Sequence, residues 1–210
     1  MIRVLLADDH PIMLGGLKLI FEDETDIEMV DCVENAAAIV NCLEHHRGNI
    51  DIVFTDIKMG HPDAGLEVAE QIIKSKKYPR THVIFYSMRL DESAVGQAIK
   101  MGAQGYLDKG CSSEEILMAV RNVAQKGKSY FSKTIQEIAP SAEALMENMP
   151  SPREREILVY LERGLKAEAI AKELFISVHT VRDHAKNIRD KYNAANITEL
   201  FYILRQKGII

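Results

Sequence analysis

Five short runs of β-prone apolar residues punctuate the first half of this chain, at positions 2–7, 27–32, 52–55, 82–86 and 104–107. The gaps between them carry helical spacing, as in Ala36, Ile39, Val40 and Leu43, or Leu66, Ala69, Ile72 and Ile73. Such alternation restricts the fold severely: strands joined through helices run parallel, and the helices must cover both faces of the sheet. The runs are apolar at nearly every position, as strands buried on both faces should be. The predicted class is therefore α/β, a doubly wound five-stranded parallel sheet. Ser112-Ser113-Glu114-Glu115 ahead of Ile116 and Leu117 makes a good helix start, with a serine to cap and glutamates favoured in the first turn. It predicts a closing helix over 113–125.

With 210 residues the chain has room for a second compact unit. From Pro152 onward the pattern is helical throughout, broken at Gly164-Leu165, at Phe175-Ile176-Ser177 and at Asn193-Ala194-Ala195-Asn196. That predicts a small all-α domain of four short helices. We divide the chain into residues 1–125, a linker over 126–148 and a second domain over 149–210. The linker carries Gly127 and Pro140, with weak helical periodicity near Ala142 to Met146. Formal charge splits along the same lines, at −8, 0 and +3 for the three segments. A mildly basic C-terminal half suits a polyphosphate partner, since neutralising phosphates supplies most non-specific affinity for DNA, and an acidic half does not. No run approaches the roughly 18 apolar residues of a membrane span, and Asp8-Asp9 come too early for a signal peptide. The expected protein is cytosolic, with no membrane partner. Cys32, Cys42 and Cys111 have no CxxC spacing and are expected as reduced thiols, and the histidines lack any HExxH pattern.

In an open parallel sheet, ligands bind at the carboxyl ends of the strands. Those ends carry Asp8 and Asp9 after the first strand, Asp56 after the third, Ser87 after the fourth and Lys109 after the fifth. Any one of them alone would be an ordinary turn, cap or surface residue, and it is the joint placement that matters. Carboxylates about 4 Å apart repel by about 4 kcal/mol at an effective dielectric near 20, so the cluster needs a compensating cation or a raised pKa. An all-oxygen ligand set suits Mg²⁺. Asp56 is then a nucleophile toward an activated phosphoryl group, forming an acyl phosphate, with the metal and Lys109 neutralising the developing charge and Ser87 donating to a phosphate oxygen.

The segments LLADDH at 5–10, VFTDIKM at 53–59, FYS at 85–87 and YLDK at 106–109 resemble the CheY-like receiver family, over about residues 1–125. The resemblance implies Asp56 as phosphoacceptor. It implies Asp9 and Asp56 as Mg²⁺ ligands with the Lys58 backbone carbonyl, and Asp8 assisting through water. Tyr106 matches the switch aromatic, which in the family changes rotamer when the residue at the Ser87 position moves toward the phosphate. The loop after Asp56 departs from the family's usual MPxMDGLE: it reads MGHPDAGLE, with Gly60 in place of proline and one residue inserted near Ala64. Haloacid-dehalogenase-type phosphatases combine similar groups, but they want DxD on the first strand with the nucleophile leading. Here Asp8 and Asp9 are adjacent and the isolated aspartate follows strand three.

Residues 177–192 separate into two helix faces. Val181, Ala185, Ile188 and Tyr192 form an apolar stripe, while His179, Arg182, Asp183 and Lys186, with Arg189 at the edge, form a charged one. Ser177 can cap the helix, and Thr180 lies in its first turn. A charged face is often merely solvated, but a major groove admits one α-helix, and Arg, Lys and His supply donors for phosphates and base edges. The stretch SPREREILVYLERGLKAEAIAKELFISVHTVRDHAKNI resembles the LuxR-type helix-turn-helix, including the family's TVxxH element at Thr180 to His184. The resemblance places Arg182, Asp183 and Lys186 toward the groove, and Ser177 and Thr180 where phosphate contacts are common. Asp183 is read as a base reader or as the partner that orients Arg182. Departures are Ala169 for Glu, Lys166-Ala167 for Ser-Asn and Ile197 for Arg.

Receiver followed by helix-turn-helix is the NarL/FixJ-type layout. It implies a regulator rather than an enzyme, phosphorylated by a sensor histidine kinase, controlling promoter binding and transcription, with RNA polymerase as a further partner. A homodimer is expected on phosphorylation, through the receiver or through the Asn196 to Leu204 helix with Ile197, Leu200, Phe201 and Leu204, some of which must still pack internally. The rival reading, kept open by the altered 60–65 loop, is an orphan regulator whose receiver works by protein contacts alone.

Overall fold

The computed structural model describes residues 1–75, 77–139, 149–207 and 209–210. Strands β1 (Ile2–Ala7), β2 (Ile27–Val33), β3 (Ile52–Thr55), β4 (His82–Ser87) and β5 (Gly105–Asp108) alternate with helices α1 (Pro11–Glu22), α2 (Ala36–His45), α3 (Ala64–Lys74), α4 (Glu92–Met101) and α5 (Ser113–Ala124). Every strand pairing is parallel, in the order β2-β1-β3-β4-β5-β6. The sixth strand, β6 (Tyr130–Phe131), lies in the segment read from sequence as linker and extends the expected five-stranded sheet. Two residues are too few to show a period, which is why the sequence does not reveal it. Helix α6 (Lys133–Ile138) follows and buries Ile135. The short helix expected near Ala142 to Met146 lies outside the described residues.

Alternate residues of β1 point to opposite faces, as the twofold period of a strand requires. Leu5 and Ala7 join Ile39, Leu43, Leu66 and Ile72 under α2, α3 and α4. Val4 and Leu6 join Leu17, Phe21, Ile116 and Val120 under α1 and α5. With helices on both faces, the only exits for a polar site are the strand ends. β1 and β3 are neighbours whose connections leave in opposite directions, and a crevice opens outside their carboxyl ends.

The C-terminal unit comprises α7 (Pro152–Glu162), α8 (Ala167–Glu173), α9 (Val178–Lys191) and α10 (Ile197–Gln206). The SPRE sequence closes a capping box: Ser151 Oγ accepts from the Glu154 amide and Glu154 Oε2 accepts from the Ser151 amide. Val181 packs with Ile157, Ile170 and Leu174, and Ile188 with Leu158, Leu200 and Leu204. Leu200 and Leu204 are thus core residues, which withdraws them from the dimer surface read from sequence.

The two units meet at the amino edge of the sheet, opposite the crevice. His82, at the start of β4, lies 2.9 Å from Glu156 Oε1 on α7, and both side chains are buried. Arg155 of α7 is half-buried, its guanidinium packed against Gly102, the left-handed residue that ends α4. Burial pushes its guanidinium down, to about 10.

Candidate functional site

The strand ends deliver the expected groups to one place. Asp56 follows β3 and is buried, and its Oδ1 accepts from the Ile57 amide at 2.6 Å and from Ser87 Oγ at 2.6 Å. Lys109 Nζ lies 2.6 Å from Asp56 Oδ2 and 2.6 Å from Asp8 Oδ2. Burial alone would lower the lysine, but hydrogen bonds to Asp56 and Asp8 outweigh it and hold the ammonium above its ordinary value. His10 closes the rim, its Nδ1 lying 3.0 Å from Asp8 Oδ1 and 2.8 Å from Asp9 Oδ1. Asp8, Asp9, His10 and Asp56 each bring one ligand atom within 4.8 Å of the others. Asp8 Oδ2 and Asp9 Oδ1 are buried and each faces a nitrogen partner, Lys109 for the first and His10 for the second. Hard oxygen donors with unspent lone pairs are what a Mg²⁺ ion takes up, so the residues fit the metal.

The altered loop participates in this geometry. Gly60 adopts φ +80° and donates its amide to Asp9 Oδ2 at 3.0 Å. A proline there would have no N–H to give and could not adopt that φ. Five residues on, Gly65 passes so close to the phosphoacceptor's backbone that an added Cβ would sit 2.0 Å from the Asp56 carbonyl oxygen. Its amide donates to the Ile57 carbonyl at 2.7 Å. The departure from the family's usual loop therefore ends in a fixed contact with Asp9.

Lys58 lines the pocket, a cavity of about 550 Å³, together with Asp56, Ser87 and Lys109. Arg89 also lines it and is held by Asp63 at 2.5 Å and Asp91 at 2.9 Å, a residue the sequence reading missed although it lies only two positions beyond Ser87. Tyr106 is buried against Phe85 and donates its hydroxyl to the Arg89 carbonyl. Burial, with the nearby carboxylate of Asp91, raises that phenol well above its ordinary value.

On α9, Ser177 Oγ accepts from the Thr180 amide at 3.0 Å and lies 2.8 Å from Thr180 Oγ1, so both hydroxyls serve the cap. His179, Arg182, Asp183 and Lys186 are exposed, and Arg189 is half-buried. Arg182 pairs with Glu168 of α8 at 2.8 Å, whereas Asp183 pairs with His179 at 3.3 Å. The partner that holds Arg182 is thus Glu168 and not Asp183. His184 faces the cleft between the two units, beside Arg80, Gly127 and Phe175. Cys32, Cys42 and Cys111 are free thiols. Burial pushes Cys42 up to about 11 and Cys111 to about 12. Among the described residues no helix is long and apolar enough to cross a membrane.

An acidic crevice with a shared lysine, joined to a capped helix with an open basic face, defines a phosphoryl-receiving module coupled to a DNA-binding one. A family model described as a response regulator receiver domain matches residues 4–121, and one described as bacterial regulatory proteins of the luxR family matches residues 150–204. The chain belongs to the two-component response regulators with a LuxR-type DNA-binding domain, and it controls transcription. It is 29% identical over 221 residues to oxygen regulatory protein NreC of Staphylococcus epidermidis, with 98% of both chains covered. NreC of Staphylococcus carnosus is likewise 29% identical, over 217 residues and 98% of both chains. Among solved structures, the response regulator ChrA of a heme-sensing two-component system is 30% identical, covering 100% of this chain and 98% of that one at a TM-score of 0.52. RcsB of Salmonella enterica serovar Typhimurium, bound to promoter DNA in the presence of phosphomimetic BeF3−, shares the fold at 24% identity, 97% coverage of each chain and a TM-score of 0.60.

Proposed function

We propose that a sensor histidine kinase phosphorylates Asp56, and that the resulting acyl phosphate sets how α9 engages promoter DNA. The observation that carries this reading is Lys109 Nζ, held 2.6 Å from both Asp56 and Asp8 inside a buried pocket. An Asp56 carboxylate oxygen attacks the phosphorus of a phosphohistidine, the P–N bond breaks and the imidazole leaves with the electron pair. Lys109 follows the charge onto the phosphate, and Ser87 Oγ, already 2.6 Å from Asp56, donates to a phosphate oxygen. Asp8, Asp9, Asp56 and the Lys58 backbone carbonyl would hold Mg²⁺, which supplies neutralisation of the transferring phosphoryl group. Tyr106 completes the switch through its bond to the Arg89 carbonyl at the pocket mouth.

On the DNA side, Arg182, Asp183 and Lys186 face the groove, Lys186 reaching a phosphate from there, with Ser177 and Thr180 also toward phosphates and His179 and Arg189 completing the charged face. A phosphorylated homodimer would pair two such modules, since one alone buries only about 600 to 1,000 Å² on DNA. Contact with RNA polymerase, a cytosolic location and the division at residues 125 and 149 belong to the same proposal. Incubation with Mg²⁺ and acetyl phosphate tests its first step. Intact-mass measurement should show one phosphoryl group on the wild type and none on Asp56→Asn, and undiminished labelling of that variant would overturn the assignment.

A further inference from the structure

Metal-ligating side chains converge a second time in the receiver, away from the phosphoacceptor. Asp31 on β2, Cys42 in the last turn of α2 and His46 at its C-cap each place one ligand atom within 4.8 Å of the others. β2 is the edge strand, with β1 standing between it and β3, so this group and Asp56 do not share residues. Cys42 and His46 are four positions apart, the spacing that puts two side chains on one helix face. The register of β2 against β1 shifts at Val30, where Val4 pairs with Met29 but Leu5 pairs with Asp31. An extra residue of this kind re-aims the side chains beyond it. Val30 packs on the α2 side, and Asp31 reaches the same side, its Oδ2 accepting from Cys42 Sγ at 3.6 Å. Without the bulge, strict alternation would send Asp31 to the opposite face.

We propose that Asp31, Cys42 and His46 form a binding site for a borderline divalent transition metal, with Zn²⁺ the fitting ion. Bonds of about 2.3 Å to sulfur and about 2.1 Å to oxygen, at a tetrahedral angle, put the two ligand atoms about 3.6 Å apart, the separation found here. The imidazole of His46, within 4.8 Å of both, supplies the third ligand. Three protein ligands leave a fourth position for water, as in open zinc sites. Thiolate and imidazole select against Mg²⁺, so the domain sorts its metals by hardness: oxygen ligands at Asp56, sulfur and nitrogen at Cys42 and His46. A bound ion would tie the end of α2 to the edge strand.

Cobalt(II), a spectroscopic stand-in for zinc, tests the site in the full chain with Mg²⁺ in excess. One equivalent should produce a thiolate-to-cobalt charge-transfer band that Zn²⁺ abolishes, and Zn²⁺ should raise the thermal midpoint. The band should vanish in Cys42→Ser and in His46→Gln and weaken in Asp31→Asn. It should survive unchanged in Cys32→Ser, Cys111→Ser, His10→Ala and Asp56→Asn. His46 is partly exposed, so its variant decides the matter even if loss of Cys42 unfolds the domain. No charge-transfer band in the wild type, or an undiminished one in His46→Gln, would overturn the proposal.

Discussion

The receiver pocket and the DNA-reading helix use charge in opposite ways. In the pocket, Asp8, Asp56 and Lys109 come from three strand ends and are buried against one another at 2.6 Å. On α9 the charges come from one helix, lie open to water, and are parked in separate pairs, Arg182 with Glu168 and His179 with Asp183. Buried groups gathered by topology are worth much and tolerate little displacement, because low dielectric strengthens both attraction and the cost of a lost partner. Exposed pairs are worth little and exchange readily for another partner, such as a phosphate. Geometry should therefore break the first region, and charge and salt the second.

The largest effect is expected at Gly65→Ala. A methyl group 2.0 Å from the Asp56 carbonyl oxygen forces the backbone of the phosphoacceptor to move. Destabilisation of roughly 3 kcal/mol, the upper part of the overpacking range, should appear in chemical denaturation together with lost labelling. A variant as stable as the wild type would show that the pocket backbone yields. Arg182→Ala should come next. An arginine that bonds guanine O6 and N7 contributes about 1 to 3 kcal/mol of discrimination, so binding-site selection should lose preference at one base pair. If the selected motif is unchanged, α9 does not read bases through Arg182. Lys186→Ala should instead weaken all duplexes alike and lower the slope of log affinity against log salt by about 1. An unchanged slope would remove Lys186 from the phosphate contacts.

The smallest effect is on acid stability. The Arg121 guanidinium, hydrogen-bonded to Asp26, holds that carboxyl at about 2, below the ordinary 3.8. A depressed folded value stabilises above the unfolded pKa and is lost as pH falls through the folded one. Asp26→Asn should therefore flatten the loss of stability between pH 3.8 and about 2. More than a third of the side chain is exposed, so screening keeps the change small. A denaturation series across that interval checks it, and identical slopes for both proteins would deny the pair any role.

The strands were readable because burial on both faces leaves apolar runs, and the pocket was readable because the sheet aligns strand ends. Sequence pattern carries no record of contacts made by backbone amides or across units. The Gly60 amide on Asp9 required the actual φ at Gly60. The Arg182–Glu168 pair spans two helices of the domain. Glu156 is a charged residue on a helix whose second packing partner is another domain, so local periodicity gives no sign of its burial. β6 was too short to carry a pattern, and Leu200 and Leu204, apolar on any reading, turned out to face the core.

The central claim is that the buried pocket controls the exposed helix. Fluorescence anisotropy with a duplex recovered by site selection measures this directly, comparing protein before and after acetyl phosphate labelling and alongside Asp56→Asn. Labelling should change wild-type affinity by about 5- to 150-fold, the usual span of allosteric coupling, and leave the variant unmoved. Equal affinities for labelled and unlabelled wild type, or the same change in Asp56→Asn, would contradict the account.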